Sequence, residues 1–234
     1  MNTRTIAVLS AFALAIPASA QTTELTPRGS ISGPFVPGNG NGSDNFAVYT
    51  IEETTGAFAG NTMEIGLKAK ERFFGDGNVG GTGTLYIVQD GVSPEGQEAG
   101  AADSDDAWWN FDLSIFYGSR SIADTLVTVT ITDPENDIAI LPFAITPNVF
   151  DGTESAVQTS QNIGFDFIAA AGLGPFDSTL LGDYIFDVTI EDIASGGTPV
   201  SLGEFQVIAR VVPTPGAVSL LALSGIAGAQ RRRR

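Results

Sequence analysis

The 234-residue chain carries 27 acidic and 11 basic side chains, a net charge of −16, and has neither cysteine nor histidine. Their absence excludes disulfides, thiolate or imidazole metal sites, and Cys- or Ser-His-Asp-type nucleophiles. So acidic a chain lacks the positive footprint that nucleic acid or anionic lipid requires.

Residues 1–20 contain a single charge, Arg4, then an apolar run over 6–16 and the small-x-small sequence Ala18-Ser19-Ala20. This pattern predicts a secretory signal peptide cut between Ala20 and Gln21, with signal peptidase as the processing partner. Residues 21–212 keep all 27 acids against six bases (Arg28, Lys68, Lys70, Arg72, Arg120 and Arg210), a net of −21. A body of about 190 residues can bury one sizeable core without staples. Residues 21–43 are rich in Gly, Pro, Ser, Thr and Asn and read as an exposed lead-in.

From residue 45 the period becomes two. Strands are expected over 45–52, 63–73, 84–89, 108–117, 124–132, 138–145, 161–168, 182–190 and 202–212, with Pro142 confining its segment to an edge or an interruption. In 63–73, Met63, Ile65, Leu67 and Ala69 take one face; Lys68, Lys70 and Arg72 take the other, read as solvated and paired with acidic neighbours. In 108–117, Trp109, Phe111, Leu113, Ile115 and Tyr117 form a core face. Trp108 points away from it, packed or covering an edge, with sugar stacking as the alternative. Residues 148–160 and 169–179 read as irregular. Gln158, Asn162 and Asp166 form a polar set best explained by hydrogen bonding within the sheet or turns.

Two acidic segments are candidate cation sites. Residues 90–107 read as a long loop in which Asp103, Asp105 and Asp106 offer carboxylates to Ca²⁺, although the EF-hand register is missing. Asp133 and Asp137 bracket a Pro-containing turn. Solvation is the plainer account of both, so no cofactor is expected beyond this calcium alternative.

With no amphipathic helix in residues 44–212, the expectation is an all-β fold, a single antiparallel β-sandwich of jelly-roll type. Residues 213–234 differ from everything before them. Pro213, Thr214, Pro215 and Gly216 end strand pairing; 216–229 is uncharged; Arg231, Arg232, Arg233 and Arg234 close the chain. As a helix, 216–229 is about 21 Å long, and flanking residues with snorkelling arginines extend it toward a bilayer span. A basic cluster after an apolar run marks the cytoplasmic end of such a span.

This tail resembles the PEP-CTERM sorting signal of Gram-negative bacteria, with Thr214 standing where the motif has Glu. Residues Trp109–Asp112 (WNFD), Asp133-Pro134, Gln158–Phe165 (QTSQNIGF) and Phe176–Asp187 (FD, then GDYIFD) also resemble segments of such proteins. The resemblance implies export, transient anchoring in the inner membrane, and processing by an exosortase-type membrane enzyme. It also implies a non-catalytic place at the cell surface or in the extracellular matrix, associated with exopolysaccharide. The alternative is a lectin-like, calcium-dependent binding module using Trp108. A carboxylate-based glycoside hydrolase comes third, because it needs two carboxyls about 5–9.5 Å apart across a cleft.

Overall fold

The computed structural model describes residues 21–32, 44–71, 80–91, 107–143, 151–153, 155–194 and 198–214. Its strands are β1 (Gln21–Gly29), β2 (Phe46–Glu53), β3 (Thr62–Glu71), β4 (Leu85–Gln89), β5 (Trp109–Phe116), β6 (Thr125–Thr132), β7 (Ile138–Phe143), β8 (Asp151–Thr153), β9 (Ala156–Asn162), β10 (Gly182–Asp192) and β11 (Val200–Val212). They form a six-stranded sheet in the order β1-β2-β3-β5-β9-β8 and a five-stranded sheet in the order β4-β11-β10-β6-β7.

The sheets are joined face to face by the alternation read in the sequence. Trp109, Phe111, Leu113, Ile115 and Tyr117 are all buried, as are Tyr184, Phe186, Val188 and Ile190 of the opposite sheet. Phe111 stacks on Phe186 with ring centroids 4.3 Å apart, and Trp109 meets Tyr184 edge-on at 5.2 Å. Each such side chain contributes about 1.5–3 kcal/mol through removal from water. The prolines obey the edge rule: Pro142 lies in β7 and Pro27 in β1, both outermost strands.

The structure departs from the sequence reading in four places. The sandwich is not wholly antiparallel, because β4 runs parallel to β11. These partners are more than 100 residues apart, so no tight turn dictates their direction. Nor is the order a jelly roll: β1, β2 and β3 are consecutive neighbours in one sheet, where a jelly roll sends most successive strands to alternate sheets. The lead-in begins with a strand, since β1 pairs with β2 from Gln21↔Glu53 to Gly29↔Phe46.

The fourth departure concerns residues 156–168. The strand lies over the polar sequence Ala156–Asn162, and Asp166–Ile168 is a helical turn running into a wider one at Ala169–Leu173. Asn162 accounts for the switch. Fully buried, its Oδ1 accepts from Ala107 N at 2.7 Å and from Gly164 N at 2.9 Å, while Nδ2 donates to Ala107 O at 2.8 Å. The side chain thereby ends β9 and pins the start of β5.

The two ends of the sandwich differ. At one, Glu53, Arg120 and Asp192 form a buried ion cluster. At the other, the β6–β7 turn, the segment between β9 and β10, and the start of β10 enclose a cavity.

Candidate functional site

The cavity has a volume of about 240 Å³. One wall is the turn after β6. Asp133 organises it: Oδ1 accepts from the N–H groups of Glu135 and Asp137, both at 2.9 Å, and its backbone N–H donates to Asp137 O at 3.1 Å. Asn136 closes the turn with φ 71°, a conformation asparagine tolerates better than most residues. The opposite wall is the segment Leu173 to Leu180, with Phe176 facing the space. Two glycines allow these walls to approach. A Cβ on Gly172 would stand 2.4 Å from Ile138 O, and one on Gly182 would stand 2.9 Å from Pro134 Cβ. The loops therefore pack against the sheet as a formed surface.

Tyr184, from the first turn-proximal pair of β10, forms the floor. Its ring belongs to the core and is only 3% exposed. The phenol makes no hydrogen bond among the described residues. Burial pushes its pKa well above the ordinary value, and the negative charges of Asp133, Asp177 and Glu135 push it further the same way. Asp177 lies at the mouth, fully exposed. A hydrogen bond from the Thr179 hydroxyl, and then one from the Thr179 N–H, hold its carboxyl below the usual range. Four carboxyl groups (Asp133, Glu135, Asp137 and Asp177) and no base line the cavity, beside an apolar wall of Ile163, Leu173, Phe176 and Leu180. Such a surface attracts positive charge and accepts a small apolar body.

The candidate residues from the sequence are distributed as follows. Asp133 and Asp137 do line the cavity, but Asp133 Oδ1 is committed to backbone donors. Among the described residues no group of three or more His, Cys, Asp or Glu is placed to hold a metal ion. Asp103, Asp105 and Asp106 lie outside the described residues. Trp108 is half-buried, precedes β5, and is not among the cavity lining; its backbone N–H donates to Gly91 O at 3.1 Å. Of the tail, Pro213 is exposed, and Thr214 donates from its N–H to Asp90 Oδ1 at 2.7 Å and also bonds that carboxylate through its hydroxyl. Pro215, Gly216 and Arg231 to Arg234 lie outside the described residues, as do Ala18 and Ala20; Gln21 opens β1. Among the described residues no helix is long and apolar enough to cross a membrane.

The lysine face of β3, expected to be solvated, is buried. Lys68 and Asp112 are 0% exposed and Lys70 7%. Lys70 Nζ lies 2.8 Å from Asp112 Oδ2 and Lys68 Nζ 3.8 Å, so the pairing with acidic neighbours is present. Lys68 also donates to Asp44 O at 3.0 Å and lies over the Phe46 ring. Burial raises the Asp112 carboxyl above its usual range, against the pull of Lys70 and Lys68.

Sequence reasoning missed Tyr184, Phe176 and Asp177 as cavity residues. Tyr184 was visible only as a core position, and no local pattern shows that its hydroxyl ends without a partner. No protein-family model matches the chain, and no curated protein matches it either.

Proposed function

We propose that the protein is an exported, non-catalytic surface or matrix protein, carried out by residues 1–20 and sorted through residues 213–234. The observation that carries this reading is the order of the tail: Pro213-Thr214-Pro215, fourteen uncharged residues, then four arginines. The apolar stretch halts in the inner membrane with its arginines on the cytoplasmic side. An exosortase-type enzyme then processes the chain near the Pro-x-Pro element. The body, with its large negative charge, acts beyond the membrane in association with exopolysaccharide.

The described strands all lie between the two cuts. The last described strand stops at Val212, just before the Pro-x-Pro element. Removal of residues 1–20 and of the stretch beyond Pro215 leaves all eleven strands whole.

The test is intact mass and cell fractionation of the protein from its native host, with and without the sortase gene. Loss of residues 1–20, together with sortase-dependent loss of the residues beyond Pro213 to Pro215, is the expected result. A chain still ending in Arg234 and indifferent to the sortase would mean a plain C-terminal anchor.

A further inference from the structure

Independently of how the chain is sorted, we propose that the cavity between the β6–β7 turn and the segment preceding β10 binds a small organic cation. The ligand class is a protonated amine carried on a sugar ring or a short alkyl chain.

Three observations converge. The first is charge: every ionisable lining residue except the phenol is a carboxylate, and no base is among them. The second is a pair of open bonding positions. Tyr184 is 3% exposed and its hydroxyl has no hydrogen-bond partner among the described residues, although a phenol both donates and accepts. Asp133, 7% exposed, spends Oδ1 on two backbone donors, while Oδ2 accepts from no described residue. Neither atom is shut off from solvent, so both can take a partner that enters the cavity. The third is size and texture. At about 240 Å³ the cavity is smaller than the ~300–1,000 Å³ of pockets for drug-sized ligands, and Phe176, Leu173 and Leu180 give it an apolar side.

A metal ion fits less well, because the carboxylates are spread around the space and no three of them converge. A neutral sugar would leave four carboxylates without a counter-charge. An ammonium group held by one of these carboxylates, with the others supplying a negative field and its carbon body on Phe176 and Leu180, satisfies both sides. The Tyr184 hydroxyl then accepts from the ammonium, or donates to a ring oxygen.

The test is calorimetric titration of the full chain in detergent, at low salt and slightly acidic pH. The probes are glucosamine and 1,5-diaminopentane, their neutral counterparts glucose and 1,5-pentanediol, and calcium chloride. The expected result is saturable binding of an amine, at least about tenfold tighter than its neutral counterpart and weakened by salt. Which amine binds more tightly distinguishes a sugar from an alkyl source. Tyr184→Phe removes a hydroxyl that bonds nothing in the free protein, and Asp177→Asn keeps the acceptor for Thr179 while removing the charge. Each should weaken binding by about fivefold with no loss of thermal stability. Failure of both amines to saturate overturns the proposal, as does glucose binding equal to glucosamine or competition by calcium for the same site. Undiminished binding by both variants overturns it too, because the amines would then be bound elsewhere on the acidic body.

Discussion

Arg120 grips Glu53 with two parallel hydrogen bonds, Nε to Oε1 at 2.7 Å and Nη2 to Oε2 at 2.6 Å, although the residues are 67 positions apart. Both side chains are 1% exposed. Nη2 also reaches Asp192 Oδ2 of the other sheet at 3.1 Å, and the guanidinium lies over the Phe58 ring. The pair thus ties the two sheets together at the end away from the cavity. Removing one partner strands a buried charge, a loss of about 3–5 kcal/mol. Arg120→Met and Glu53→Met should each destabilise by that order in urea unfolding. The double variant should lose clearly less than the sum, because only Asp192, the most exposed of the three, is then left without its partner. Arg120→Lys should also be destabilised, since an ammonium cannot make the two-pronged contact.

Tyr86 makes a second bond between sheets. From β4, its hydroxyl accepts from Ala47 N at 2.8 Å and donates to Asn45 O at 2.7 Å, in the six-stranded sheet's territory. Tyr86→Phe leaves a buried N–H with no acceptor, at a cost of about 1–3 kcal/mol. Thermal melting should report the loss, and hydrogen exchange should localise it to the amide of Ala47.

Alkali should unfold the protein before it ionises the core tyrosines. Burial pushes the Tyr117 phenol up to about 12, opposed by its hydrogen bond with Thr125. Between about 10, its value in an unfolded chain, and about 12, the folded state keeps a proton that the unfolded state has lost. Stability therefore falls as pH rises through that window, by about 3 kcal/mol from this group at the upper limit. Phenolate absorbance should appear together with loss of structure rather than ahead of it. Tyr117→Phe should flatten the alkaline limb of stability against pH.

Thr214 occupies the central position of the Pro-x-Pro element, and Asp90 is its partner. Thr214→Glu would set a carboxylate against Asp90 and replace a bond with a repulsion. Exchange of the Thr214 amide should then rise well above that of Thr214→Val, which loses only the hydroxyl's bond, about 0.5–1.5 kcal/mol. Equal exchange in the two variants would mean that the charge at this position is immaterial.

Much of the architecture was legible because its signals are periodic. The alternations from Trp109 to Tyr117 and from Tyr184 to Ile190 identified the two strands that carry the core stack. Pro142 marked its own strand as an edge. Residues 156–162 were not legible, because AVQTSQN looks like a loop: its polar side chains are buried by bonding those of the neighbouring β5, as Gln158 Nε2 does with Ser114 Oγ at 3.0 Å. The same blindness hid the Lys68–Asp112–Lys70 group, where charge was read as exposure. The cavity escaped because it is made by three segments distant in sequence. Its decisive group, the Tyr184 hydroxyl, stands out through a bond it does not make. Asp133 and Asp137 were found, but for a metal ion.

The strand pairings also give the molecule a polarity. Gln21 pairs with Glu53, so β1 begins at the pole fastened by Arg120. Val211 pairs with Gly182, two residues before Tyr184, so β11 runs out at the cavity's pole, where Gly91, beside Asp90, bonds Ser178 O in the cavity-side loop. A body tethered through the residues after Val212 therefore holds its cavity toward the tether and the opposite pole outward. Cutting the tether would do more than free the body: it would uncover the pole bearing the cavity and admit ligands too large to enter beside the anchoring surface.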